Sequence, residues 1–218
     1  MRNWLKKLLL FVVAIGFSAA HAGSYDDFFV AIKRDDPATI QSLLQRGFDP
    51  NTPSPDKLDP LYVALREGSL KAAQALIDWP KTNIDARTAQ DESPLMMACL
   101  RGHAEMARRL IARGADVNKT GWTPLHYAAT KGDVAIIQML LDENAYIDAA
   151  SPNGTTPLMM AAMYGTTAAV KVLLDAGADP TLKNQLGLAA LDFATKGNRK
   201  DSAELIAAAV KAWQAKQR

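Results

Sequence analysis

The chain has 218 residues, a length for one or two domains. Hydrophobic residues make up 49% and charged residues 22%, a globular balance, and a formal net charge of +2 is too small to argue for nucleic acid or an anionic membrane as partner. The single cysteine, Cys99, rules out an intramolecular disulfide and any zinc site that needs two thiolates.

The first 22 residues read as an export signal. Arg2, Lys6 and Lys7 give a basic start, Leu8 to Phe17 an apolar core, and Ala20-His21-Ala22 a small-x-small cleavage site before Gly23. The apolar stretch from Leu8 to Ala20 is 13 residues long and contains Gly16 and Ser18. A membrane span takes about 20 apolar residues. The segment is therefore expected to be cleaved, and no cysteine stands near it to carry a lipid. Residues 23–218 are expected to form one exported domain, periplasmic in a bacterium. They carry 22 cations against 23 anions, so the positive balance belongs to the signal.

A repeat fills the rest. Asp59-Pro60-Leu61-Tyr62-Val63-Ala64, Ser93-Pro94-Leu95-Met96-Met97-Ala98, Thr123-Pro124-Leu125-His126-Tyr127-Ala128, Thr156-Pro157-Leu158-Met159-Met160-Ala161 and Ala189-Ala190-Leu191-Asp192-Phe193-Ala194 align. Their leucines are spaced by 34, 30, 33 and 33 residues. Phe28-Phe29-Val30-Ala31 is a sixth copy, lacking the proline. A second half recurs too, as in Leu110-Ile111-Ala112-Arg113-Gly114-Ala115-Asp116 and Leu173-Leu174-Asp175-Ala176-Gly177-Ala178-Asp179.

The pattern resembles the ankyrin repeat, a turn, two antiparallel helices and a loop in about 33 residues. Thr123-Pro124-Leu125-His126-Tyr127-Ala128-Ala129 matches that family's Thr-Pro-Leu-His-x-Ala-Ala motif. The resemblance implies an all-α solenoid of about six stacked helix-turn-helix units with finger loops. Their boundaries are expected near 25–57, 58–88, 89–118, 119–151, 152–184 and 185–218. Position by position the chemistry agrees. Ser or Thr before Pro caps a helix whose first turn accepts proline. Gly102, Gly132 and Gly165 are expected to end the first helix in a left-handed conformation. Paired Leu and Ile residues give the second helix its buried stripe. No copy buries its apolar face alone, so stacking must supply the core, with atypical ends. Asp35 stands where the first copy's glycine is expected, and the last copy runs into a polar tail from Lys211.

One finger is short. Two residues, Lys119 and Thr120, separate Asn118 from Gly121, where five separate Asp148 from Gly154. Trp122 lies beside the resulting notch.

No catalytic arrangement is legible: no His-Glu-x-x-His, no Gly-x-Ser-x-Gly, no phosphate loop. No cofactor and no metal are expected. Cys99 fills an alanine position and is expected to be buried and inert. The pairs Met96-Met97 and Met159-Met160 are expected in the core.

The resemblance implies that fingers and the inner face of the first helices bind another protein. The inner-face positions precede the helix-ending glycine. They hold Lys33 and Arg34, Arg66 and Glu67, Leu100 and Arg101, Thr130 and Lys131, Met163 and Tyr164, then Thr195 and Lys196. The binding residues expected among them are Lys33, Arg34, Arg66, Leu100, Arg101, Lys131, Met163 and Tyr164, with Trp122 on the adjoining finger. Cations steer an acidic partner and aromatic residues anchor it. The expected molecule is a monomeric, non-enzymatic binder of a periplasmic protein with an acidic patch. It does not bind nucleic acid, nor membrane after cleavage. Support of a resident envelope protein and immunity-type inhibition of a toxin both fit, and an enzyme or ligand carrier on the repeat scaffold is the rival class. Mass spectrometry of the exported chain should read a start at Gly23; an intact Met1 contradicts export.

Overall fold

The computed structural model describes residues 23–216, so the expected export signal lies outside the described residues. These form helices and loops with no strand, and no described helix is long and apolar enough to cross a membrane. They divide into two compact units, one ending at Asn83 and the other beginning at Ile84.

The first unit holds α1 (residues 23–33), α2 (Pro37–Gln45), α3 (Pro60–Glu67) and α4 (Leu70–Ile77). Phe28, Ile32, Ile40, Leu43, Leu61, Leu65 and Leu76 make its core. Aromatic rings fill the first copy where later copies use smaller residues. Phe28 packs on Phe48 at 4.4 Å between centroids, and Tyr25 on Phe29 at 5.0 Å. Asp35 adopts the left-handed conformation expected of a glycine there (φ +53°). Its carboxylate explains the exception, because Oδ1 accepts the N–H of Ala72 at 2.8 Å.

The second unit holds α5 (Pro94–Arg101), α6 (Ala104–Ala112), α7 (Pro124–Lys131), α8 (Val134–Asp142), α9 (Pro157–Met163), α10 (Thr167–Asp175), α11 (Ala190–Lys196) and α12 (Lys200–Lys216). Helices α5, α7, α9 and α11 stack in one layer; α6, α8, α10 and α12 form the other. Buried Ala98, Ala128, Ala129, Ala161, Ala162 and Ala194 let the first layer approach closely, and Leu110, Ile137, Leu140, Val170, Leu173 and Ile206 fill the space between layers.

The helices start as the sequence requires. Ser93, Thr123 and Thr156 cap α5, α7 and α9, each accepting the N–H three residues on. The returning bond comes from chemically different side chains. Met96 Sδ accepts the Ser93 N–H at 3.3 Å, His126 Nδ1 that of Thr123 at 3.1 Å, and Met159 Sδ that of Thr156 at 3.4 Å. In the last copy Asp192 Oδ2 accepts the Ala189 N–H at 2.8 Å.

One expectation about the helix ends needs correction. Gly102 and Gly132 are left-handed, but Gly165 is not, and α9 ends at Met163 with Tyr164 as its cap. Glycine is needed at 165 by proximity: a Cβ there would stand 2.4 Å from the Ala129 carbonyl oxygen. The polar tail is helical as far as Lys216, because Ala207-Ala208-Ala209 and Ala212 favour helix.

Successive loops are tied by one recurring hydrogen bond. In the first unit Asn51 Oδ1 accepts the Asn83 N–H at 2.7 Å. In the second, Asp85 accepts from Asp116 at 3.2 Å, Asn118 from Tyr146 at 2.8 Å and Asp148 from Asp179 at 3.1 Å. His126 adds a bond to the next copy, donating from Nε2 to the Thr155 carbonyl at 2.9 Å while Nδ1 stays an acceptor.

Burial pushes His126 down to about 4, against the bond to Thr155, which favours the proton. The unfolded chain therefore takes up a proton near pH 6.5 that the folded chain refuses until about pH 4. This stability is complete above pH 6.5 and is lost as pH falls to about 4. Asp59, in the first unit, is pushed up to about 6 by burial and carries the opposite slope. Denaturation at several pH values should show wild type losing about 3 kcal/mol across this window relative to His126→Gln, which keeps the capping acceptor. Parallel stability curves would contradict the assignment.

Candidate functional site

The fingers are built on one turn with one exception. Ser54, Thr88, Ser151 and Asn184 each donate a backbone N–H to the carbonyl four residues on, at 2.9 to 3.0 Å. Their side-chain oxygens accept the N–H of that same residue, at 3.1, 3.2, 3.0 and 3.1 Å. A left-handed residue completes each turn: Lys57, Asp91, Gly154 and Gly187. The short finger keeps the left-handed Gly121 but has no room for the hairpin. Lys119 stands at its base, and its buried ammonium reaches the Asp91 carboxylate, the Thr120 carbonyl at 3.0 Å and the Trp122 carbonyl at 3.2 Å.

The missing hairpin leaves a depression of about 230 Å³ lined by Leu100, Trp122, His126, Tyr127, Thr130 and Met160. Trp122 forms one wall, half-buried and edge-on to His126 at 5.2 Å between centroids. The Tyr127 hydroxyl donates to Glu92 at 2.8 Å, which fixes its ring. The lining is almost wholly apolar. Pockets for drug-sized ligands run to about 300–1,000 Å³, so this one is sized for a side chain.

The expected binding residues distribute unevenly. Leu100 and Trp122 line the depression. Arg101 and Lys131 are exposed and follow the lining residues Leu100 and Thr130 in the chain. Met163 is half-buried and Tyr164 is 53% exposed, but neither lines the depression. The Tyr164 carbonyl accepts from the Arg199 guanidinium at 2.9 Å, which steadies the end of α9. In the first unit Lys33 and Arg34 are exposed. Arg66 pairs with Glu67 at 3.1 Å. Lys33 and Arg66 share a depression of about 320 Å³ with Asp26, Asp56 and Glu67, so that surface mixes both signs of charge.

Tyr127 and Met160 are additions to the expected set. Both occupy the x of the Thr-Pro-Leu-His-x-Ala motif, a position that also holds Val63, Met97 and Phe193. Met160 was expected in the core with Met159; Met159 is buried, while Met160 is half-buried and lines the depression. Burial at x differs from copy to copy: Val63 and Met97 are buried, while Tyr127, Met160 and Phe193 are half-buried.

Cys99 is fully buried, and burial pushes its thiol well above the ordinary range. Among the described residues no group of three His, Cys, Asp or Glu side chains is placed to hold a metal. The site offers shape and apolar area, with the exposed Arg101 and Lys131 next in the chain to two of its lining residues.

Comparison with known proteins agrees with this architecture. A family model described as ankyrin repeats (3 copies) matches residues 28–120, 69–151 and 144–214. The mouse ankyrin repeat and SAM domain-containing protein 6 is 32% identical over 109 residues, 48% of this chain and 12% of that protein. Mouse protein phosphatase 1 regulatory subunit 27 is 33% identical over 93 residues, 41% of this chain and 60% of that protein. Both comparisons cover less than two thirds of the relative's length. A chain in the solved complex of the Bd0816 predatory endopeptidase from Bdellovibrio bacteriovorus with immunity protein Bd3460 is 29% identical. It superposes with a TM-score of 0.72 over 83% of this chain and 96% of that one. With its repeats matched from residue 28 to 214, the chain belongs to the ankyrin-repeat family.

Proposed function

We propose that the chain is an exported protein-binding module that silences an endopeptidase of its own cell, as an immunity-type inhibitor rather than an envelope scaffold. The observation that carries this reading is the match, over 96% of the neighbour's length, to a chain of an endopeptidase–immunity protein complex. Ankyrin repeats themselves support a protein partner. The signal read in residues 1–22 supports a periplasmic location, where an exported peptidase would have to be met.

On this reading the second unit supplies the anchor. The depression between Leu100, Trp122 and Met160 takes an apolar side chain of the partner. Arg101 and Lys131 beside it favour carboxylates on the flanking segment. Tyr164, exposed on α9, adds an aromatic contact of the kind that concentrates binding energy. Inhibition needs no chemistry from this chain, only occupation of the partner's surface.

The test is titration of residues 23–218 into an endopeptidase exported to the same compartment, with activity and size-exclusion elution as readouts. Stoichiometric loss of activity in a stable complex is expected. Trp122→Ala with Tyr164→Ala should weaken the complex by more than ~2 kcal/mol while leaving the melting curve unchanged. Unchanged activity with no complex overturns the inhibitor reading, and full affinity in the double variant overturns the placement of the site.

A further inference from the structure

We propose that Lys119 is a positioning residue for Trp122, a substitute made of charge for the hairpin the short finger lacks. The inference rests on the protein-binding reading of the notch. In the four regular fingers the residue at the base is Ser54, Thr88, Ser151 or Asn184, an acceptor that captures an N–H. The short finger inverts this polarity. Lys119 is a pure donor with three protons. It captures two carbonyl oxygens of its own finger, Thr120 and Trp122, and reaches the carboxylate of Asp91 on the preceding finger.

The arrangement is specific in a way that a surface ion pair is not. The Lys119 side chain is 7% exposed while that of Asp91 is 64% exposed. A cation buried to this degree is tolerated only with its hydrogen bonds satisfied, and fixing a register is one use of such a pair. The register here is that of the Trp122 backbone, because the ammonium holds the Trp122 carbonyl directly. Trp122 in turn forms the wall of the depression and meets His126 edge-on. Asp91 is preset for the task by its left-handed backbone at the end of its own turn. Lys119 is therefore not one of the steering cations of the inner face, since Asp91 neutralises it.

The asymmetry of burial makes the inference testable without unfolding the chain. Lys119→Met removes the buried charge and leaves Asp91 to water. The measurement is the indole N–H cross-peak of Trp122 in a two-dimensional ¹⁵N NMR spectrum of the free chain, assigned by its loss in Trp122→Ala. Lys119→Met is expected to move and broaden that cross-peak, with the melting temperature held within about 4 °C. Asp91→Asn, which leaves the short finger untouched, should move it in the same direction, and the two shifts should not add. A Trp122 cross-peak unmoved by either variant overturns the proposal. If Lys119→Met fails to fold, Asp91→Asn alone decides. Because no partner is present, failure here is separate from failure of the inhibitor reading, which the endopeptidase titration decides.

Discussion

Asn118 accepts the backbone N–H of Tyr146 and donates its own amide to the Asn144 carbonyl, both at 2.8 Å. Asp85 and Asp148 accept the corresponding N–H from the loops that follow them. This bond between neighbours is the constraint on which the second unit depends. It sets the step from one repeat to the next at the base of the fingers, while the inner helices meet through alanines. Finger length beyond that base is then free to vary. Three residues are missing between Asn118 and Gly121 while α5, α7 and α9 stay stacked, so the loss appears as a notch instead of a break in the stack.

A shortened loop carries a polar cost that the structure meets locally. Carbonyls that a hairpin would have paired must find other donors. Lys119 supplies them, and the finger before it supplies the counter-charge. The same solution fixes the wall of the depression, so one deletion creates an apolar socket and the device that shapes it. His126 joins this local framework to the core. Its ring takes the capping bond of α7 on one nitrogen and the Thr155 carbonyl of the next copy on the other, and it lies against Trp122.

The architecture was legible because its causes are local. Hydroxyl-proline starts, paired leucines and a period of 30 to 34 residues name the helices and their order. What the sequence hid has causes that lie a repeat away. Gly165 reads as a left-handed terminator, yet it answers to the carbonyl of Ala129 in the neighbouring helix. Lys119 reads only as a residue of the short finger, because nothing near it in sequence announces the carboxylate of Asp91. Met160 reads as core from its partner Met159, and only the stack shows that adjacent helical residues part company there. Of the candidate site, Trp122 and Leu100 were recoverable from the notch and the inner-face positions. Tyr127 was not, because the same motif position is buried at Val63 and Met97 and half-buried at Tyr127.

The functional reading depends on where a partner touches the second unit. Hydrogen–deuterium exchange of the chain alone and in complex with the proposed endopeptidase partner tests this most directly. Protection is predicted at the end of α5 around Leu100, across the finger from Lys119 to Trp122 and along α7 to Lys131. Protection confined to α6, α8 and α10, with the Lys119–Trp122 finger exchanging as in the free chain, would contradict the notch as the binding site.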